Sequence, residues 1–203
     1  MTTTKIDTDF GPARAELHCA EEGVAGLLLG HGAGGGIEAD DLVAVTRAAQ
    51  AAGVHVALVE QPYRVAGRRA PAPARQLDAA WLSVVEELSV RWFDDLPLVF
   101  GGRSSGARVA CRTAAAGQAV AVLCLAFPVH PPGKPDKTRQ PELDAVDVPT
   151  LVVQGERDPF GLPESGRHHE IVQVSGDHSL RADLGAVSRA CSEWLQRVLR
   201  PLA

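Results

Sequence analysis

Near the middle of the chain, one serine has the neighbouring residues that are typical of a nucleophilic serine. The residues GRSSG (102–106) match the pattern G-x-S-x-G between an apolar run and a helical pattern. This pattern is typical of a sharp strand-to-helix turn that exposes a serine hydroxyl, and it needs small residues two positions before and after the nucleophile. Ser104 has glycine at both positions, whereas Ser105 has Arg103 and Ala107. We therefore predict that Ser104 is the nucleophile and that the Ser105 N–H is one oxyanion donor.

Two later loops carry the partners that such a serine requires. A serine hydroxyl needs a general base, and the base needs an acid that orients it. In strand-turn-helix sites of this type, the acid and then the histidine follow the serine along the chain. Asp158 follows a predicted strand at 150–154, and His178 follows the next predicted strand at 170–174. We predict Asp158 as the acid and His178 as the base.

Other acids and histidines fit these roles less well. Glu156 is an alternative to Asp158, although Asp158 lies further beyond the end of its strand. Asp177 directly precedes His178, and adjacent side chains usually point apart, so we interpret Asp177 as a turn residue. His31 lies in a glycine-rich loop, where a structural hydrogen bond is expected in place of base chemistry.

The glycine-rich loop GHGAGGG (30–36) has three interpretations. It resembles an H-G-G-G oxyanion loop, whose backbone N–H groups stabilise a developing negative charge. It also contains G-x-G-x-x-G, the dinucleotide-binding pattern, and Glu60 ends the next strand where a ribose-binding acid would lie. However, Glu38, Asp40 and Asp41 at the start of the following helix would repel a pyrophosphate. We favour the oxyanion loop, with dinucleotide binding and a plain tight turn as alternatives.

Apolar runs that alternate with helical patterns must position these loops. The predicted strands are 24–30, 54–59, 96–102, 119–127, 150–154 and 170–174, preceded by one or two edge strands of which 13–19 is the better candidate. The predicted helices cover 38–52, a segment that begins at Pro73, 105–116, and a last segment from about 184 to 198. This alternation predicts an α/β fold with a doubly wound, mostly parallel sheet. Functional groups should then lie on loops at the C-terminal ends of strands.

Length and composition limit the classes of function. A chain of 203 residues predicts a single domain, 1–203, with a sizeable core. The net charge of −5 argues against a nucleic-acid or membrane-surface partner. The four cysteines show no zinc-site spacing, and we expect neither a metal nor a cofactor. Without an apolar leader or a stretch long enough to span a membrane, we expect a cytoplasmic protein.

A cluster of arginines follows the strand at 54–59. The segment QPYRVAGRRAPAPARQ contains four arginines and no acid. Because it leaves the C-terminal end of a strand, we expect it to border the site. Exposed arginines on a loop are common, so a solvated cluster is one interpretation. The other is that Arg68 and Arg69 bind an anionic part of a small ester substrate, since guanidinium groups bind carboxylates in bidentate fashion.

From about residue 24 to the C-terminus, the chain resembles the α/β-hydrolase superfamily. The segments that carry the resemblance to its dienelactone-hydrolase-like branch are LLLGHGAGGG, GGRSSGARVA, FPVHPPGKP, LVVQGERDPFG and GDHSL. More narrowly, they resemble the family of small hydrolase-like proteins that includes a testis-expressed protein and a subunit of a histone acetyltransferase complex. Dienelactone hydrolases proper use a cysteine nucleophile, so their substrate is not implied here.

The resemblance implies a role for each site residue. Ser104 would be the nucleophile, Asp158 the acid and His178 the base, and the N–H groups of Ala33 and Ser105 would form the oxyanion hole. Few strands precede the glycine-rich loop, so we expect a sheet shorter than the eight strands usual in the superfamily. The connection at 128–149 is too short for a cap domain, so the site should be open.

Together these features predict a capless, single-domain α/β-hydrolase that acts as a serine esterase on a small ester or related acyl substrate. One alternative is a non-catalytic module that uses the same fold for interactions. A less favoured alternative is a dinucleotide-binding protein.

Overall fold

A computed structural model describes residues 2–94 and 96–200. In this part of the chain the strands are β1 Thr2–Ile6, β2 Ala13–His18, β3 Ala25–Gly30, β4 Val54–Glu60, β5 Leu98–Arg103, β6 Ala121–Leu125, β7 Thr150–Gly155 and β8 His169–Val174. The helices are α1 Asp40–Ala51, α2 Pro62–Val65, α3 Ala74–Arg91, α4 Ser105–Thr113, α5 Gln140–Asp144 and α6 Leu184–Leu199. These bounds agree with the sequence prediction to within a few residues for the central elements.

The strands of the described residues form one sheet of eight in the order β1-β2-β4-β3-β5-β6-β7-β8. β2 runs antiparallel to β1 and β4, and the other neighbouring pairs are parallel. This arrangement confirms the predicted mostly parallel, doubly wound α/β fold. After β3 the chain adds β4 on one side of β3 and then β5 on the other, so the strand order switches between β3 and β5. Folds of this type bind ligands in the crevice at such a switch point.

Both faces of the sheet are covered by helices, as the continuous apolar runs require. Every residue of β3 is buried, and so is every residue of β6 and β7. One face packs against α3, α4 and α5 around Trp81, Phe100 and Leu143. The other face packs against α1 and α6 around Leu42 and Trp194. The helices thus hold the parallel strands, and with them the loops at their C-terminal ends.

The expectation of a shorter sheet is wrong. β1 pairs with β2 from Thr2 opposite Leu17 to Ile6 opposite Ala13, and this pair completes the eight strands of the described residues. The sequence gives little sign of β1 because the strand lies at the sheet edge and only Ile6 in it is buried. A strand that lacks an apolar run can be identified from its pairing with a neighbouring strand, but not from its own sequence.

The connection between β6 and β7 is the place where a cap would be inserted. In the described structure it contains α5, a helix of 5 residues, which the sequence did not predict. Leu143 of α5 is fully buried, so the connection lies against the body of the fold. The C-terminal edge of the sheet is therefore left open. No helix among the described residues is both long and apolar enough to cross a lipid bilayer.

Candidate active site

Ser104 lies at a strained turn between β5 and α4. Its φ of 53° and ψ of −107° are outside the regions that L-residues favour. A side chain at position 102 would lie 2.6 Å from the Gly30 carbonyl oxygen, and one at position 106 would collide with the same oxygen. The two glycines of G-x-S-x-G are therefore required for the turn to pass close to β3. This contact holds the Ser104 hydroxyl at the C-terminal edge of the sheet.

The structure brings the three residues predicted for the triad into one hydrogen-bonded chain. His178 Nε2 lies 2.9 Å from Ser104 Oγ. On the other side of the ring, His178 Nδ1 lies 2.8 Å from Asp158 Oδ2. Because an ionised carboxylate only accepts hydrogen bonds, the Asp158 contact favours the tautomer with the proton on Nδ1. The free Nε2 then faces the serine hydroxyl and can accept its proton.

The loops after β7 and β8 are held together by backbone contacts. The N–H of Arg157 donates to the carbonyl oxygen of Gly176 at 2.9 Å, and the N–H of Glu156 donates to that of Val174 at 2.9 Å. Glu156 itself is exposed, and Asp177 accepts hydrogen bonds from Ser179 in an exposed turn. Neither acid contacts the imidazole, in agreement with the choice of Asp158 as its partner.

The Asp158 carboxylate is held by donors as well as by His178. Gln154 Nε2 donates to its Oδ2 at 2.9 Å, and the N–H of Phe160 donates to its Oδ1 at 2.8 Å. The Asp158 side chain is fully buried. The ring of Phe160 covers that of His178, with 4.2 Å between centroids. These contacts fix the orientation of the imidazole from two sides.

The glycine-rich loop places Ala33 opposite the start of α4. Both Ala33 and Ser105 line the cleft beside Ser104. Because Ser105 is the first residue of α4, its N–H has no acceptor within the helix. No hydrogen bond among the described residues uses the Ala33 N–H. Both amides are thus available to an oxygen atom near Ser104.

Two side chains hold this loop, one from the loop itself and one from α2. His31 Nδ1 donates to the Gly32 carbonyl oxygen at 2.8 Å, and its Nε2 accepts from the Gln61 N–H at 3.1 Å. Burial lowers the pKa of His31, so the ring is neutral and can act as both donor and acceptor. Tyr63 donates its hydroxyl to the Ala33 carbonyl oxygen at 2.9 Å, and burial raises its pKa to about 12. His31 is thus a structural residue, as predicted.

Two of the acids after the loop, Asp41 and Glu60, are each paired with an arginine. Arg103 Nε lies 2.9 Å from Asp41 Oδ2, whose side chain is 1% exposed. Glu60, the acid that would bind a ribose, instead forms an ion pair with Arg14 at 2.7 Å. A buried carboxylate at the start of α1 opposes a pyrophosphate there, and Glu60 is already paired. The geometry therefore argues against dinucleotide binding.

Arg103 connects three of the loops around the site. Besides its ion pair with Asp41 of α1, its Nη2 donates to the His178 carbonyl oxygen at 3.1 Å. A side chain at position 32 would meet its guanidinium at 2.9 Å. Arg103, between Gly102 and Ser104, therefore contacts the glycine-rich loop, α1 and the histidine loop from the turn.

An open cleft of about 440 Å³ surrounds Ser104. The residues that line it are Ala33, Gly34, Gly35, Pro71, Arg103, Ser104, Ser105, Arg108, Pro128, Pro132, Arg139, Phe160 and His178. The expectation that Arg68 and Arg69 border the cleft is not met, since only Pro71 of their loop reaches it. The Arg68 N–H donates to the Tyr63 carbonyl oxygen, and the side chain lines a separate depression beside Phe10. Helix α2 turns the chain away before the two arginines are reached.

Sequence reasoning missed Gln154, Phe160 and the arginines of the cleft. The sequence did contain an indication for Gln154, because a glutamine inside the apolar run of β7 is buried and needs hydrogen-bond partners. For Phe160 the only indication was its position shortly after Asp158. Arg108 and Arg139 were not singled out, since they lie on different elements far from each other in the sequence. Among the described residues there is no group of three or more side chains that could hold a metal ion.

Comparison with protein families gives one match. Residues 23–194 match the family described as "Alpha/beta hydrolase domain". This stretch includes the glycine-rich loop, the turn at Ser104 and the loops of Asp158 and His178. No curated protein sequence matches the chain significantly.

Several solved structures have a similar fold. An α/β serine hydrolase without a lid, from Xanthomonas campestris, has a TM-score of 0.79 at 20% identity, over 97% of this chain and 94% of that protein. Est1E from Butyrivibrio proteoclasticus has a TM-score of 0.80 at 17% identity, over 98% and 100%. Dienelactone hydrolase from Anabaena variabilis has a TM-score of 0.73 at 18% identity, over 97% and 96%. At these identities the likeness shows the shared fold.

Proposed function

The chain belongs to the alpha/beta hydrolase family, and from this premise we propose that it is a serine esterase that cleaves small esters or related acyl compounds. Ser104, His178 and Asp158 are the catalytic residues of the proposal. The fold is shared with a serine hydrolase and with an esterase from Pyrococcus furiosus, and the turn at Ser104 carries the geometry that nucleophilic serine chemistry needs.

The first step is attack on the ester carbonyl. Ser104 Oγ forms a bond to the carbonyl carbon while its proton moves to His178 Nε2, 2.9 Å away. Asp158 stays ionised and stabilises the imidazolium that forms, through the contact of 2.8 Å to Nδ1. The carbonyl π electrons move onto the oxygen, which becomes an oxyanion.

The N–H groups of Ala33 and Ser105 are the proposed donors to this oxyanion. Both residues line the cleft at Ser104, and the Tyr63 hydroxyl holds the carbonyl group of Ala33. Donors fixed before the reaction stabilise the new charge without reorganising, and loss of one costs about 10²–10³-fold in rate in well-studied cases.

The remaining steps return the enzyme to its starting state. His178 gives its proton to the leaving alkoxide, and the C–O bond of the ester breaks to leave an acyl group on Ser104. A water molecule then loses a proton to Nε2 and attacks the acyl carbon. The acid product leaves as Ser104 regains its proton, so one ester and one water give one acid and one alcohol.

One observation carries the proposal: a serine on a strained turn is joined through a single imidazole to a buried carboxylate. Strain at a non-glycine residue persists only where the surroundings enforce it, and it is concentrated at functional sites. Gly102 and Gly106 permit the turn, and Gln154 and Phe160 hold the acid and the base. A protein that used the fold only as an interaction surface would need none of these contacts.

Covalent labelling with a fluorophosphonate tests the proposal. The wild-type protein should be labelled at Ser104, and Ser104→Ala should abolish the labelling. Ser105→Ala is the matched control and should retain most of it, because that residue contributes a backbone N–H. Asp158→Asn should lower kcat on 4-nitrophenyl acetate by up to ~10⁴-fold, whereas Glu156→Gln should not. An unlabelled, folded wild-type protein would contradict the proposal and favour the non-catalytic interaction module.

The proposal also covers where in the cell the protein lies and which subfamily of hydrolases it is most similar to. The four cysteines lie within the described residues and are free thiols, three of them buried, which supports a reducing location such as the cytoplasm. The sequence segments quoted above also support a place near the small hydrolase-like proteins of the testis-expressed type. The proposed steps use the side chains and backbone groups of this chain alone.

A further inference from the structure

The walls of the cleft at Ser104 are positively charged. Its charged lining residues, among those the structure describes, are Arg103, Arg108 and Arg139, and no carboxylate lines it. This is unusual in a chain with a net charge of −5. A substrate that enters the cleft therefore meets positive charge on the side of β5, α4 and α5.

Two of the three arginines are neutralised from behind the cleft. Arg103 pairs with the buried Asp41 at 2.9 Å. Arg108 forms a bidentate pair with Glu142, with Nε–Oε2 at 2.8 Å and Nη2–Oε1 at 2.5 Å. These pairs fix the positions of the two guanidinium groups, and a carboxylate of the protein balances the charge of each.

The third arginine, Arg139, has no carboxylate partner among the described residues. Its Nη1 donates to the Pro128 carbonyl oxygen at 3.4 Å, a long contact to a neutral group. The carboxylate of Glu142, whose charge acts on Arg139, is hydrogen-bonded to Arg108 and to Arg112, whose Nη1 lies 3.2 Å from it. Since Asp78 pairs with Arg112, this group holds three arginines against two acids. The excess positive charge lies at Arg139.

The surroundings of Arg139 favour an anion. Burial lowers its pKa, and the positive charge of Arg108 acts in the same direction. Both effects work against the charged guanidinium as it stands, and a carboxylate beside it would offset them. Arg139 is half-buried and its N–H donates to the Val129 carbonyl oxygen at 2.6 Å, so its backbone is held beside the cleft.

The cluster lies a short distance from the reacting atoms. The Arg108 N–H donates to the Ser104 carbonyl oxygen, so Arg108 is one turn of α4 beyond the serine, about 5.4 Å along the axis. Arg139 lines the same cleft as Ser104 and Arg108, together with Pro128 and Pro132. An acyl chain whose carbonyl lies at Ser104 therefore shares that cleft with Arg139.

We propose that Arg139 is a specificity-determining residue that binds a carboxylate on the acyl chain of the substrate. The inference rests on the proposed esterase function and narrows its substrates to monoesters of short dicarboxylic acids. Arg139 acts on binding and takes no part in proton transfer. Guanidinium binds carboxylate through two parallel N–H···O bonds, which would replace the weak contact to Pro128.

Paired substrates test this residue. The mono-4-nitrophenyl ester of adipic acid and 4-nitrophenyl hexanoate have acyl chains of equal carbon number, and they differ only in a terminal carboxylate. The wild-type protein should show the higher kcat/KM on the adipate ester. Arg139→Gln should lower that value about 10- to 100-fold, mainly through KM, and should lower kcat/KM on the hexanoate ester far less. The preference should also weaken as salt is added.

Lys137→Gln is the matched control, because it removes one positive charge from the same loop at an exposed position that does not line the cleft. It should leave the preference for the adipate ester intact. Equal rates on both esters, or an equal effect of Lys137→Gln, would overturn the assignment to Arg139 while the esterase proposal stands.

A binding measurement keeps the test independent of catalysis. Calorimetric titration of the wild-type protein with adipate and with the uncharged hexanamide needs no turnover. Adipate should bind more tightly than hexanamide, and Arg139→Gln should remove the difference. If fluorophosphonate labelling fails but adipate binds through Arg139, the esterase proposal fails and the subsite remains. If labelling succeeds and adipate does not bind, the subsite fails.

Discussion

The arginines of this protein lie in two contrasting regions. The segment from α2 to the first turn of α3 carries Arg64, Arg68, Arg69 and Arg75 within twelve residues, and the last three are exposed. The second region comprises Arg103, Arg108, Arg112 and Arg139, which are spread along the sequence and gathered at the cleft and behind it. The first group is conspicuous in the sequence, whereas only the second lies at the candidate site.

The difference arises from where the carboxylate partners lie. Asp41 comes from α1, Asp78 from α3 and Glu142 from α5, and each is far in sequence from the arginine that it pairs with. An arginine held in this way is partly buried and has a fixed direction. Arginines that have no carboxylate partners stay exposed to solvent, since nothing offsets the free-energy cost of removing their charges from water.

The largest effect should come from breaking the buried pair. Arg103→Met leaves Asp41 buried without its counter-ion, which should cost about 3 kcal/mol of unfolding free energy, the low end of the range because Arg103 is itself 20% exposed. A loss of this size corresponds to a decrease in Tm of roughly 6–12 °C. Arg47→Met, an exposed arginine on α1, is the control and should change Tm little. Urea and thermal unfolding measure both.

The penalty of Arg103→Met should depend on pH. Burial raises the pKa of Asp41, and Arg103 opposes that rise. A raised pKa in the folded state means that Asp41 costs stability as pH rises through that pKa, and Arg103 reduces the cost. The variant should therefore differ most from wild type near neutral pH and converge with it as Asp41 becomes protonated in acid. A penalty that is independent of pH would show that lost packing, not the ion pair, is responsible.

An intermediate effect should follow from Glu142→Gln. Glu142 joins Arg108 and Arg112, but its side chain is 23% exposed, so solvent screens the pairs and the cost should be about 1–2 kcal/mol. Glu170→Gln removes one partner of the exposed pair with Arg197 and should cost less than about 0.5 kcal/mol. If both variants cost the same, the cluster behind the cleft is no stronger than an ordinary surface pair.

Glu142 also has a defined pH signature. Burial would raise its pKa, but the hydrogen bonds and charges of Arg108 and Arg112 outweigh burial and hold the pKa below its usual range. The folded state thus gains stability above the unfolded pKa of ~4.3 and loses it as pH falls through the lower folded value. Glu142→Gln should remove this part of the loss on acidification.

The smallest effect should come from the exposed loop. Arg68→Gln and Arg69→Gln should change the unfolding free energy by less than about 0.5 kcal/mol, as exposed substitutions usually do. They should also leave the ratio of kcat/KM between the adipate and hexanoate esters unchanged, because neither arginine lines the cleft. A fall in that ratio would mean that the loop reaches the substrate after all, and would remove the contrast between the two regions.

Much of the fold could be predicted from the sequence because its signals are local. The buried strands β3, β6 and β7 are short apolar runs, and the turn at Ser104 needs glycine at positions 102 and 106. The sequence allowed for a second edge strand but did not locate β1, and it did not predict the short helix α5. Each has a weak pattern of its own and is stabilised by what it packs against.

The sequence by itself determined the order of the functional loops. In a parallel sheet the C-terminal ends of all strands meet at one edge, so Ser104, Asp158 and His178 had to approach one another once the strands were assigned. Tertiary structure alone decided which arginines reach the cleft, that Gln154 holds Asp158, and that Asp41 is paired. The physical reason is the separation in sequence over which each effect acts. Strand periodicity and turn strain depend on residues that are neighbours in sequence. Burial and ion pairing depend on groups that only folding brings together.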